Sequence, residues 1–242
     1  MVPRLYDNPE STAWLVFRHV KDENLLARAG RKNRQHSVSF GYEDDMSKVW
    51  SGTMSLRITG GEARGRSIAS PRGRDVRPTS SKIRQALFNI LGNKIKGARF
   101  LDLFGGTGLM GIEALSRGAG ELTTIELDRK FALAISESIK MLSFEADVII
   151  GDVRERMGDL EGSKFDIIFA DPPYKSPLAK SVLHLVDRYG LISEDGLLII
   201  EHAKETELTL DKLSLSLINQ REYGQTCLSF FKREGEEPKE PQ

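Results

Sequence analysis

The sequence predicts a doubly wound α/β domain: a seven-stranded, Rossmann-like sheet preceded by a small basic hairpin-plus-helix element. Three observations predict it. Beyond Gly97, short continuous apolar runs alternate with segments of helical period. A glycine-rich turn, FGGTG at 104–108, joins the first run to its helix. Carboxylates recur at the ends of the runs, as Asp102, Glu126, Asp152 and Asp171. Continuous apolar strands alternating with helices are buried on both faces, which means a parallel sheet with helices on both sides and ligands at the strands' carboxyl ends.

The elements follow in order. From 56 to 70 the alternation in LRITGGEARGRSIAS, with its Gly60-Gly61 pair, predicts a basic β-hairpin or short paired strands. RPTSSKIRQALFNIL then carries Pro78, Thr79 and Ser80 as helix-start signals, followed by Ile83, Leu87, Ile90 and Leu91 at helical spacing. Strands are predicted at 100–104, 122–126, 148–150, 165–170 and 197–201. Helices are predicted at 109–116, from the cap Asp128 to about 141, and at 178–189. Segments 213–218 and 226–231 complete the sheet as an antiparallel pair closing one edge. The domain plan is a poorly structured leader over 1–53, the basic hairpin and helix over 54–97, the α/β domain over 98–233 and a disordered tail over 234–242. The leader holds one short apolar run, at 14–17, and Met54 opens MSLRITGG like a natural start.

Thirty-five Lys and Arg balance 35 Asp and Glu, which argues against a wholesale polycation. The distribution says something else. Between 56 and 99, eleven Lys and Arg stand against only Glu62 and Asp75, an excess of nine positive charges on the predicted hairpin and helix. The single Cys227 excludes an internal disulfide framework and a cysteine zinc site, and fits a reducing cytosol. His19, His36, His184 and His202 lack metal-ligand spacing, so no metal is expected. No apolar run approaches the ~20 residues of a membrane span, and MVPRLYDNPE lacks the character of a signal peptide. A soluble cytoplasmic protein, with no membrane partner and monomeric, is the expectation.

In the turn, Gly105, Gly106, Gly108 and Gly111 let the backbone approach a ligand, and the helix start offers free N–H groups. Gly106, Gly108 and Gly111 fit G-x-G-x-x-G, with Glu126 about twenty residues on, a dinucleotide-like pattern that equally serves a plain strand-to-helix turn. Asp102, inside the first strand, separates the ligand classes: a carboxylate there would repel a pyrophosphate but could face the ammonium of S-adenosylmethionine. Glu126 could then accept two hydrogen bonds from a ribose diol, and Asp152 one from an adenine amino group. For Asp152 a helix cap before Val153 is an open alternative. With Phe104, Leu127, Val153 and Asp171 alongside, these residues form the expected donor site.

The corner DPPY follows the strand at 165–170. Pro172 and Pro173 bring no N–H and stiffen the turn, so it offers acceptors without competing donors. An exocyclic amine on a base is a poor nucleophile because its lone pair is delocalised. If the Asp171 carboxylate and the Pro172 carbonyl accept its two N–H bonds, the lone pair can be held toward a methyl sulfonium. Tyr174 offers a face for stacking an extruded base.

LDLFGGTGLMGIEALSRGA, IELD, Gly151-Asp152 and DPPY resemble the class I S-adenosylmethionine-dependent amino-methyltransferases. RITGGEARGR, RPTSSKIRQALFNIL and YGQTCLSFF are similar, more specifically, to the bacterial 16S ribosomal RNA guanine-N2 methyltransferases of the RsmD type, over residues 56–231. Gly105 stands where Ala is commoner, a change expected to be harmless. The resemblance implies a guanine in 16S rRNA of an assembled or assembling small ribosomal subunit as substrate. Arg57, Arg64, Arg66, Arg77, Lys82 and Arg84 are the expected RNA contacts; Thr79 is either a cap or a contact. The rivals are transfer to DNA adenine or a protein glutamine at the same corner, a non-catalytic RNA-binding assembly factor, and a nicotinamide oxidoreductase.

Overall fold

The computed structural model describes residues 16–18, 53–72, 79–174 and 176–234. In chain order its elements are β1 (Val16–Arg18), β2 (Thr53–Arg57), β3 (Ser67–Pro71), α1 (Ser81–Leu91), β4 (Arg99–Asp102), α2 (Leu109–Ser116), β5 (Glu121–Glu126), α3 (Arg129–Met141), β6 (Asp147–Ile150), α4 (Val153–Arg156), β7 (Phe165–Ala170), α5 (Leu178–Arg188), β8 (Ile192–Ala203), β9 (Leu215–Tyr223) and β10 (Thr226–Arg233). The seven predicted strands form one mixed sheet, ordered β6-β5-β4-β7-β8-β10-β9. The first five are parallel neighbours, and β10 lies antiparallel between β8 and β9.

The leader needs a correction at three residues. Val16–Arg18 pairs antiparallel with β6, Val16 opposite Ile149 and Arg18 opposite Asp147, as an eighth strand on that edge. Three alternating residues carry too little period to announce a strand; the edge of β6 supplies the partner. The remainder of 1–52, and the tail beyond 234, lie outside the described residues.

Apolar side chains fill both faces of the sheet. One layer gathers Leu87, Phe88, Phe100, Ile112, Ile135 and Phe230 under α1, α2 and α3. The other gathers Leu101, Leu103, Met157, Val182, Leu183 and Phe231 under α4 and α5. Because the chain runs from β4 outward to β5 and β6, then returns to β7 on the other side, the strand order reverses between β4 and β7. A crevice at that switch is where such sheets bind ligands.

The basic element is a hairpin, β2 against β3 with Arg57 opposite Ser67, followed by α1 with Ser80 as its cap. It is fastened to α2. Gly61, at φ 79°, lies so close to the end of that helix that a Cβ would stand 1.8 Å from the Ser116 carbonyl, so glycine is required there. Glu62 N–H donates to that carbonyl at 2.8 Å, and Ala63 N–H to the Ser116 hydroxyl at 2.9 Å. Beneath the hairpin, Glu113 of α2 is 0 % exposed. Arg84 Nε donates to it at 2.5 Å, Arg117 Nη2 at 2.7 Å, and the Thr59 hydroxyl donates as well. Burial pushes the Glu113 carboxyl up, but the hydrogen bonds from Thr59, Arg84 and Arg117 outweigh it and hold the group below the ordinary range.

Arg84 is therefore corrected from an RNA contact to a strut: it is 2 % exposed. Its Nη1 donates to the Thr79 carbonyl at 2.9 Å and its Nη2 to the Arg57 carbonyl at 3.2 Å. Removing one partner of a buried ion pair costs about 3–5 kcal/mol, because the other charge is stranded. Glu113→Ala is expected to lose stability of that order in denaturant unfolding. With a folded-state pKa below its unfolded one, Glu113 contributes fully above the unfolded value and progressively less as pH falls through the folded one. The difference between wild type and Glu113→Ala should shrink below about pH 4; a gap that widened in acid would contradict the assignment.

Candidate active site at the carboxyl edge of the sheet

Five adjacent parallel strands, β6, β5, β4, β7 and β8, bring Asp152, Glu126, Asp102, Asp171 and Glu201 to one edge. Asp102 ends β4, and Phe169, its register partner on β7, lies two residues before Asp171. Neighbouring strands stand about 4.8 Å apart, so these two acids flank the switch point. The DPPY corner and the glycine turn thus sit side by side.

The glycine turn is wired to β5. Gly105 N–H donates to the Ile125 carbonyl at 2.8 Å, and Gly106 N–H to Glu126 Oε2 at 2.5 Å. Glu126 Oε1 accepts from Asp128 N–H at 2.8 Å, so the predicted diol acceptor also ties two loops together. Each oxygen keeps a second lone pair for a ligand. Burial, the largest cause, raises the Glu126 pKa despite these bonds. Gly108, at φ 76°, opens α2, where a Cβ would stand 2.7 Å from Ile135. Gly105 is similarly tight: a Cβ would lie 2.7 Å from the Thr124 hydroxyl, so Ala at this position needs Thr124 or Ile135 to shift. Phe104 is partly buried, Val153 is buried at the start of α4, and Leu127 projects from the end of β5 with 69 % exposure.

Asp102 is 1 % exposed. Its Oδ1 accepts from Phe104 N–H at 3.3 Å, while its Oδ2 is enclosed with no hydrogen-bond partner. Burial pushes its pKa up to about 8, with the charges of Asp171 and Glu126 adding to the rise. A sealed carboxyl with one oxygen unpaired is costly in its ionised form, and a cationic ligand group would relieve that cost. The residues present thus fit an ammonium-bearing nucleoside such as S-adenosylmethionine.

Of the two readings open for Asp152, the structure shows the cap. Its Oδ1 accepts from Arg154 N–H at 2.8 Å, and its Oδ2 meets Arg154 Nη2 at 2.6 Å. Those Arg154 contacts hold its carboxyl below the usual range.

At the other side of the switch, Asp171 Oδ2 accepts from the Thr79 hydroxyl at 3.4 Å. Thr79 is thus neither the cap of α1, which is Ser80, nor a free side chain. Burial pushes Asp171 up to about 7, opposed by the Thr79 bond. Pro172 is buried, whereas Tyr174 keeps 46 % of its surface exposed. The Tyr174 hydroxyl is anchored at 2.7 Å from the Thr226 hydroxyl and at 3.4 Å from Glu201 Oε1. A ring fastened at its tip and open on its face suits stacking.

Sequence reasoning missed Thr79 as a partner of Asp171, and missed Glu201 altogether. Glu201 is 3 % exposed, closes a predicted strand and follows four other strand-end acids, which is the signal that could have found it. Among the expected RNA contacts, Arg57, Arg64, Arg66 and Lys82 are exposed, and Arg66 Nη2 donates to the Met141 carbonyl at 3.0 Å. Arg77 lies outside the described residues. Among the described residues no cluster of His, Cys, Asp and Glu could hold a metal ion, and no helix is long and apolar enough to cross a membrane.

Comparison with known proteins agrees with this geometry. The family described as conserved hypothetical protein 95 matches residues 56–232. The putative rRNA methyltransferase YlbH of Bacillus subtilis is 34 % identical over 74 % of this chain and 100 % of its own length. Ribosomal RNA small subunit methyltransferase D of Escherichia coli K12 is 31 % identical over 77 % of this chain and 94 % of its own. Among solved structures, the putative methyltransferase yhhF of E. coli superposes with a TM-score of 0.68 at 30 % identity, covering 75 % of this chain and 99 % of that one. The chain therefore belongs to this family of S-adenosylmethionine-dependent rRNA methyltransferases.

Proposed function

We propose that the protein methylates the exocyclic N2 of a guanine in 16S rRNA, within an assembled or assembling small ribosomal subunit, as a cytoplasmic monomer. The observation that carries this is that the Asp171 carboxylate and the half-exposed Tyr174 share one corner, one strand away from the sealed Asp102. The relatives' names supply the RNA class.

S-adenosylmethionine supplies the methyl carbon, the S–C electron pair staying on sulfur as the nitrogen lone pair forms the N–C bond. Asp102 and Glu126 hold the donor's ammonium and ribose, and Phe104, Leu127 and Val153 line its path. The glycine turn at Gly105, Gly106 and Gly108 permits the close approach. Asp171 and the Pro172 carbonyl accept the two amine N–H bonds, and Tyr174 stacks the base. Asp171 then takes the proton that the methylated nitrogen sheds. This is positioning and electrostatics at a water-poor corner.

Incubation with labelled donor and small subunits, DNA or a release factor tests the substrate class. Label is expected in the rRNA of the small subunit; label only in DNA or protein would contradict the reading. Asp171→Ala is expected to lower transfer by about a hundredfold or more while leaving donor affinity nearly unchanged. Glu126→Ala is instead expected to weaken donor binding, measured by calorimetry; swapped phenotypes would reverse the roles.

Asp102 also gives the donor site a pH dependence. Its folded pKa of about 8 means that an ammonium ligand, favouring the ionised form, releases a proton on binding below that value. Donor affinity should rise with pH toward about 8 and become flat in Asp102→Asn.

Arg64 and Lys82 carry the RNA expectation, since each is exposed on the basic element. Replacing either by Ala is expected to reduce the log–log salt slope of RNA binding by about 0.7 per lost phosphate contact, without changing donor affinity. An unchanged slope would remove them from the interface.

A further inference from the structure

The carboxyl of Glu201 has no part in the reading above, yet it is placed against the corner where the amine would lie. β8 runs beside β7 with Ile200 opposite Ala170, so Glu201 stands across from Asp171. The side chain is 3 % exposed; its Oε1 accepts from the Tyr174 hydroxyl at 3.4 Å, and the Thr79 hydroxyl also reaches the carboxyl. Its Oε2 is enclosed with no partner. A bare carboxylate oxygen sealed from water and from donors is heavily penalised, whereas a carboxylic acid there is not.

We propose that Glu201 is a positioning residue that stays protonated during transfer, so that the corner's single negative charge resides on Asp171 and the Tyr174 ring is held beside it. The proposal rests on the assignment of Asp171 as the group that receives the amine N–H. The titratable groups facing Glu201 are Asp171 from the end of β7 and Tyr174 from the following turn, with the Thr79 hydroxyl reaching in ahead of α1. The Asp171 charge also raises Asp102, one strand beyond. Among the described residues no Lys or Arg forms an ion pair with either carboxyl. Burial pushes both carboxyls up, and the facing Asp171 charge raises Glu201 further. The two facing carboxyls titrate as a pair, and the enclosed Glu201 Oε2, which has no partner, is where a proton removes the larger penalty. When the methylated nitrogen sheds its proton to Asp171, both carboxyls are neutral. Return of that proton to solvent through the half-open corner restores the starting state.

The test is the pH profile of single-turnover methyl transfer to small subunits, together with a carbon-13 titration of the glutamate carboxyls in the full chain. Wild type is expected to rise as Asp171 ionises and to fall as Glu201 does. Glu201→Gln, which imitates the protonated acid, should keep the rate within about threefold while losing the alkaline fall. Glu201→Ala should transfer about tenfold more slowly at unchanged donor affinity. In the carbon-13 spectrum, one glutamate still protonated at pH 7 should vanish in Glu201→Gln. The proposal is overturned if Glu201→Gln is as slow as Glu201→Ala, or if its alkaline fall persists. It is equally overturned if every wild-type glutamate other than Glu126 is ionised at pH 7, a readout that needs no variant to fold. Wild type that binds donor but transfers nothing to small subunits would instead refute the proposed substrate, with the carbon-13 result still deciding the state of Glu201.

Discussion

A single buried carboxylate, Glu113, joins the two parts of this molecule. It lies on α2, the helix that the glycine turn opens, and it gathers Arg84 from α1, Arg117 from its own helix and Thr59 from the end of the hairpin. The basic element also rests on α2 through Gly61 and Ser116 and through the apolar layer that Leu87 and Phe88 share with Ile112. Because Arg84 also holds the Thr79 carbonyl, and the Thr79 hydroxyl reaches Asp171, the chain of contacts continues from a structural ion pair to the Asp171 corner. A rigid body that carries exposed Arg57, Arg64 and Lys82 on one side therefore also trims the hydrogen bonding of the acceptor on the other.

The two clusters of acids answer to pH in opposite senses. Glu113 is held below the ordinary carboxylate range, so its contribution to stability is present above its unfolded pKa and fades in acid. Asp102, Asp171 and Glu201, raised to about 8, 7 and 8, contribute fully below their unfolded values and lose that contribution as pH climbs through the folded ones. The first cluster uses two arginines to keep a charge buried. The second, without described cations, lowers its own repulsion by keeping protons, and so stores an affinity for positive charge that a sulfonium donor with a free ammonium can use.

Much of this was legible in the sequence, because period and caps are local. α2 and β7 fall on the predicted boundaries, Asp128 caps α3 through Lys130 N–H, and Ser80 caps α1. The four residues of α4 are too few to show a helical period, and only the cap Asp152 hinted at them. β8 starts at Ile192, earlier than predicted, because SEDG reads as a turn yet runs on as strand. Arg84 was misread for a long-range reason: its partner Glu113 is 29 residues away, and within a basic run a buried arginine is indistinguishable from an exposed one. Thr79 and Glu201 share that difficulty, since each acquires its role only when β8 and the start of α1 converge on Asp171.

The clamp at Glu113 and the carboxyl of Asp171 form one connected unit, with Arg84 and Thr79 between them. A double-mutant cycle on the single-turnover transfer rate, combining Arg84→Met with Thr79→Val, tests it most directly. If Arg84 acts on the corner by holding Thr79, the second substitution should add little to the first, giving a coupling of about 1 kcal/mol or more. Effects that simply add would show that the basic element and the methyl-transfer corner are independent.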